Sequence, residues 1–246
     1  MKIDRVTITG ADDTTDVHWM QDMTELFPFV EWGILVSETN MGCPRFPSLE
    51  WIAKLSPCAS AITRGPMSLS MHVCGKWVRQ ICKGRWSEFL KFHSNVLGDY
   101  RRIQLNFHSY KHLVNEAFFQ KAFIHTKAND WQLIFQVDGV NNDLVKKAVH
   151  GGINAVPLFD LSGGAGIVPA KYEDPIWNVY NGYAGGLGPE NVLSECDKIS
   201  QVVGAGAEKI WIDMETRVRT PDDRKLDTGA VESVLDQMAN SQYVEI

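Results

Sequence analysis

Eight short apolar runs recur along this chain, at residues 5–9, 30–37, 69–74, 103–107, 131–137, 155–160, 182–184 and 209–213, each about the length of a strand. Between them lie stretches with the apolar spacing of helices, at 17–26, 48–55, 77–96, 113–123, 142–149, 191–203 and 229–242. The sixth connection, 167–181, is the least helical. Strands that alternate with helices join by right-handed crossovers into a parallel sheet, and eight such units in roughly 250 residues is the usual size of a closed (β/α)8 barrel. The 246 residues are therefore expected to form one α/β domain, residues 1–246, a single (β/α)8 TIM barrel, with an open doubly wound sheet as the alternative. No Pro/Gly/Ser linker, low-complexity tract or repeat marks a domain boundary.

Composition narrows the function. A net charge of −6 argues against a general nucleic-acid surface, and the one basic cluster, Lys76 to Arg85, reads as a solvated helix face. Met1-Lys2-Ile3-Asp4-Arg5-Val6 holds no apolar signal core, and no window approaches the roughly 18 apolar residues of a membrane span. A cytoplasmic protein without a membrane partner is expected. Cys43, Cys58, Cys74, Cys82 and Cys196 are odd in number and lack a Cys-x-x-Cys pair, so free thiols are expected rather than disulfides or a zinc knuckle. His72 and Cys74 alternate on one strand, yet no third residue has ligand spacing, so interior packing is expected and no metal.

In a barrel the C-terminal strand ends share the rim on which chemistry is built. Here they supply Thr9, Ser37, Cys74, Asn106 with His108, Asp138, Asp160, Gly185 with Gly186, and Asp213 with Glu215, more polar groups than a scaffold needs. Tyr183-Ala184-Gly185-Gly186-Leu187-Gly188-Pro189-Glu190-Asn191-Val192 turns a short strand into a helix opened by Pro189 and Glu190. Its unshielded glycine N–H groups and the helix N-terminus form a cradle for an anion. Leu158-Phe159-Asp160-Leu161-Ser162-Gly163-Gly164-Ala165-Gly166 is a second strand that ends in a carboxylate and a glycine loop. Both loops also suit tight turns at positive φ. Glu31, by parity with Ser37, is expected inside the barrel near its closed end, paired with Arg5 or Lys209. Trp177, in the long sixth connection, could wall a ligand ring.

Five segments, Pro44-Arg45-Phe46, Ile103-Gln104-Leu105-Asn106, Gly163-Gly164-Ala165-Gly166, Gly185-Gly186-Leu187 with Pro189-Glu190-Asn191-Val192, and Ile212-Asp213-Met214-Glu215-Thr216-Arg217-Val218, follow one another in an order that resembles phosphoribosylanthranilate isomerase. That family is the ribulose-phosphate-binding barrel of tryptophan biosynthesis. The segments are similar in turn to its Ser-Pro-Arg segment, its strand-four Val-Gln-Leu-His, its glycine loop after strand six, and its phosphate loops at strands seven and eight. The resemblance implies a cofactor-free Amadori rearrangement of a phosphorylated sugar conjugate. An acid protonates the furanose ring oxygen, the ring opens to a Schiff base, and a base removes the C2′ proton. It implies Asp160 as the acid, Gly163, Gly164, Gly185, Gly186, Glu215 and Thr216 as the phosphate site, and Arg45 and Asn106 as substrate contacts. Arg45 would steady the substrate's anionic portion, and Asn106 replaces a histidine.

The family's base is a cysteine at the end of strand one, whereas Thr7-Ile8-Thr9-Gly10 puts Thr9 there. An alcohol is almost un-ionised near neutrality and needs a neighbouring base, for which Asp12, Asp13 and Cys74 are the candidates. Glu215 beside a phosphate would repel it, so its side chain turns away or the ligand carries a compensating group. The alternative, from another class, is a barrel that binds a phosphorylated metabolite or nucleotide without turnover.

Overall fold

The apolar runs become eight strands, β1 (Lys2–Thr9), β2 (Val30–Val36), β3 (Ser68–Val73), β4 (Arg102–Leu105), β5 (Gln132–Val137), β6 (Ala155–Phe159), β7 (Asn181–Ala184) and β8 (Lys209–Met214). All pair in parallel and in chain order, and β8 closes on β1 through Thr7 opposite Asp213. The computed structural model describes residues 1–59, 66–107, 110–138, 141–161, 165–204 and 209–245. The expected closed (β/α)8 barrel is the observed fold, and the open sheet is set aside.

The helices are α1 (Val17–Leu26), α2 (Leu49–Ala59), α3 (Gly75–Cys82), α4 (Ser87–Phe92), α5 (Glu116–Asn129), α6 (Asn142–His150), α7 (Val192–Val203) and α8 (Thr228–Ala239). Three of them, α1, α5 and α8, start at short polar side chains that accept otherwise unpaired N–H groups. Asp16 accepts from His18, Asn115 from Phe118 and Asp227 from Ala230. The helix predicted over 77–96 is two helices, because the Lys83 and Gly84 N–H groups bond back to Gln80 and Ile81 and turn the chain. Among the described residues no helix joins β6 to β7, as the weak pattern there predicted, and no helix is long and apolar enough to cross a membrane.

Two apolar clusters result. The larger lies between the helices and the outer face of the sheet, with residues such as Ile8, Val36, Phe89 and Leu235. The smaller, Ile134, Val156, Leu158, Ala184 and Trp211, fills the interior on the β5 to β8 side. On the β1 to β4 side the buried polar residues include Thr7, Thr9, Glu31, His72, Arg102 and Gln104. Bringing that polar half together requires Gly33. A Cβ built there would lie 2.2 Å from Thr9 Oγ1 and 2.8 Å from His72 Cε1.

At the closed end Glu31 accepts from Thr7 Oγ1 at 2.8 Å and from Arg102 Nη1 at 2.6 Å, with Arg5 Nη1 at 3.7 Å. The expected partner Arg5 is present but distant, and Arg102 does most of the neutralising. The Arg102 guanidinium also lies 4.3 Å from the Trp211 ring centroid, so the polar half rests on the apolar one. Removing one partner of a buried pair strands the other charge. Glu31→Ala should therefore lower stability by about 3–5 kcal/mol in urea unfolding, and a loss under about 1 kcal/mol would contradict this account.

Candidate active site

The C-terminal strand ends enclose a cavity of about 250 Å³. Its wall is assembled from polar contacts between neighbouring strands. Gln104 Nε2 donates to Asn106 Oδ1 at 2.9 Å, and Asn106 Nδ2 reaches Cys74 Sγ at 3.3 Å, which joins β4 to β3. Gln136 Nε2 donates to Asp160 Oδ2 at 2.8 Å, which joins β5 to β6. Thr9 Oγ1 donates to Asp213 Oδ1 at 2.8 Å, across the seam between β1 and β8. Asp160, Asp213 and Glu215 all line the cavity.

Asp213 is the group that sequence reasoning missed. In the sequence it stands as a strand end within the strand-eight segment, with no sign of its partner Thr9, 204 residues earlier. Burial pushes its carboxyl well above the ordinary value of 3.8, against the Thr9 hydroxyl, and the nearby Glu215, Glu31 and Asp160 charges push it further. The three candidates for a neighbouring base have other partners. Asp12 accepts from Thr14 Oγ1, the Arg45 N–H and Arg219 Nη2. Burial raises its carboxyl, but these bonds outweigh burial and hold it low. Asp13 accepts from the N–H and hydroxyl of Ser48 on the surface. Cys74 is pushed up to about 12 by burial and by Glu215, too high to ionise near neutrality. His72, beside Cys74, is driven down to about 3 by burial and Arg102 and stays neutral.

The glycine loops after β6 and β7 touch each other and the loop after β8. A Cβ on Gly186, at φ +62°, would lie 2.6 Å from Val168 N and 2.8 Å from Gly166 O. One on Gly166 would lie 2.8 Å from Thr216 Cβ. Only glycine fits at positions 166 and 186, and Gly166, Gly185, Gly186 and Thr216 line the cavity. Asn191 braces the loop, accepting from Gly188 N and donating to Gly186 O, both at 2.9 Å. The helix expected to open at Pro189 and Glu190 begins at Val192, after a turn over residues 189–191. Gly163, Gly164 and His108 lie outside the described residues. Arg217 is the one cation among the described residues of the cavity wall, and its Cβ lies 2.6 Å from a Cβ built on Gly188.

Arg45 and Glu215 meet each other. Arg45, at φ +65°, places Nη1 2.5 Å from Glu215 Oε1 and Nη2 2.7 Å from Asp223 Oδ2. Asp223 is held in turn by Arg219 Nε at 2.6 Å, and Arg219 Nη2 reaches Asp12 at 3.1 Å. The Glu215 side chain is thus held by Arg45 from the loop after β2, and it lines the same cavity as Gly166, Gly186 and Thr216. Burial raises its carboxyl, and Arg45 and Arg219 oppose that. Trp177, expected as a wall, is 71% exposed and absent from the described cavity lining.

The raised Asp213 carboxyl makes a prediction about stability. A carboxyl whose folded pKa exceeds its unfolded one contributes fully below the unfolded value, here 3.8, and loses that contribution as pH rises through the folded value. Asp213→Asn should match wild type near pH 3.8 and become the more stable protein toward neutrality, by about 1.4 kcal/mol for each unit between the two pKa values crossed. Urea unfolding across that range measures the gap, and a gap independent of pH would contradict the assignment.

Among solved structures the barrel is similar to phosphoribosylanthranilate isomerase from Thermotoga maritima, in a structure of mutually generated monomers of the dimeric enzyme. It is 16% identical, with 97% of this chain and 100% of that chain covered and a TM-score of 0.56. It is similar also to a phosphoribosylanthranilate isomerase in complex with reduced 1-(o-carboxyphenylamino)-1-deoxyribulose 5-phosphate, at 17% identity, the same coverage and a TM-score of 0.55. The enzyme from Thermococcus kodakaraensis gives 12% identity, again 97% and 100% coverage, and a TM-score of 0.52. No protein-family model matches the chain, and no curated protein matches it in sequence. At these identities the likeness establishes the fold.

Proposed function

We propose that this barrel is an acid–base isomerase of a phosphorylated sugar conjugate, carrying out an Amadori-type rearrangement like that of phosphoribosylanthranilate isomerase. The observation that carries the reading is one cavity lined by three carboxyl groups, Asp160, Asp213 and Glu215, and by the junction of the two glycine loops after β6 and β7 with the loop after β8. The phosphate would sit on the backbone N–H groups of Gly185, Gly186 and Thr216, with Arg217 adding charge at its edge. Asp160 is the general acid. It gives its proton to the furanose ring oxygen as the C1′–O bond breaks and the Schiff base forms.

The base is Asp213, in the place left by the missing cysteine. It takes the C2′ proton, the electron pair moves to neutralise the Schiff base, and the enol formed becomes the ketose. A raised pKa suits this task, because a carboxylate accepts protons better as its pKa approaches the working pH. Thr9 is a positioning residue. Its hydroxyl donates to Asp213, fixes the carboxylate and stabilises the ionised form. Asn106 would contact the sugar or its substituent from the β4 wall.

The test uses 5-phosphoribosyl conjugates of anthranilate and of aniline, followed by NMR for conversion to the ketose. Asp160→Asn and Asp213→Asn should each lower the rate about 10²- to 10⁴-fold. The wild-type rate should rise with pH through a value above the ordinary carboxylate range, and Thr9→Val should move that limb to higher pH, since it removes the bond that favours ionised Asp213. Binding of ribulose 5-phosphate with no conversion of either conjugate would overturn the isomerase in favour of a phosphometabolite binder.

A further inference from the structure

The described cavity wall is rich in acceptors. Against one cation, Arg217, it carries three carboxyl groups, Asp160, Asp213 and Glu215, with the carboxamides of Gln104, Asn106 and Gln136. Arg45 is the residue expected to receive an anionic portion of the substrate, but two carboxylates already occupy its guanidinium, Glu215 at 2.5 Å and Asp223 at 2.7 Å. Its main-chain N–H is taken by Asp12 at 2.7 Å, and Asp12 and Asp223 are both tied to the buried Arg219. Arg45 is therefore locked into a ring of charges that joins the loops after β1, β2 and β8. Glu215 Oε2 has no hydrogen-bond partner among the described residues, and the buried Gln104 Oε1 is likewise an unpartnered acceptor.

We infer that Glu215 has taken the place of a substrate anion on Arg45, and that the group joined to the phosphorylated sugar carries N–H donors, as an amide, amidine or amine does, rather than a carboxylate. The inference rests on the proposal that the cavity holds a phosphorylated sugar conjugate. A carboxylate entering beside Glu215 and Asp213 would meet like charges, with Arg45 already paired and Arg217 the one other cation among the described residues of the wall, and like charges brought together out of water weaken binding. An N–H donor would find acceptors in Glu215 and Gln104, and leaving a buried acceptor unpaired is itself costly.

Titration calorimetry with three probes decides the matter: ribulose 5-phosphate, reduced 1-(o-carboxyphenylamino)-1-deoxyribulose 5-phosphate, and the same compound with the carboxylate replaced by a carboxamide. The carboxamide should bind wild-type protein at least about tenfold more tightly than the carboxylate. Glu215→Gln should strengthen the carboxylate, weaken the carboxamide and so bring the two together or invert them. If ribulose 5-phosphate binds and the carboxylate probe binds wild type as well as or better than the carboxamide, the donor inference is overturned and the phosphate site stands. If none of the three binds, the phosphate site falls and the inference with it.

Discussion

Closure of the sheet by β8 on β1 is the constraint on which the rest depends. It places Thr9 beside Asp213, and it sets the loop after β8 against those after β1 and β2, where Arg219, Asp12, Asp223, Arg45 and Glu215 form one charged ring. A sheet in which β8 did not pair with β1 would dissolve both arrangements. The interior charges at the closed end, Glu31 and Arg102, hold the polar half of the barrel together beneath the site.

The site is a set of buried acceptors at one end of a barrel. Burial and the neighbouring Asp160 charge raise the cost of ionising Asp213 and Glu215, and perturbed carboxyls of this kind cluster at functional sites. The glycine loops supply the opposite polarity without a lysine, since exposed main-chain N–H groups bring partial positive charge and no side-chain bulk. A ligand with a phosphate at one end and donors at the other matches both ends.

Much of the fold was legible in the sequence because strand signals in an α/β barrel are local. Short β-branched and aromatic runs such as Trp131 to Val137 end in a polar or glycine residue, and each became a strand within a few residues of its expected bounds. The helix over 77–96 broke where backbone hydrogen bonding, not apolar spacing, decided the path. The site was legible only in part. Asp160 and the Gly185-Gly186 loop announce themselves within ten residues. The Thr9–Asp213 and Arg45–Glu215 contacts join residues 204 and 170 positions apart, so only closure of the barrel reveals them. Arg45 in isolation reads as a free cation, and its two carboxylate partners reverse that reading.

The central claim is that the junction of three loops binds a phosphate through bare backbone. The most direct measurement is titration of ribulose 5-phosphate into wild type and Gly186→Ala, with inorganic phosphate as competitor and circular dichroism to establish that the variant is folded. A Cβ at Gly186 would stand 2.6 Å from Val168 N and force the loops apart. The account predicts saturable binding that phosphate displaces and that the substitution weakens at least about tenfold, the scale of one lost charge-assisted hydrogen bond. Equal affinity in the two proteins would contradict it.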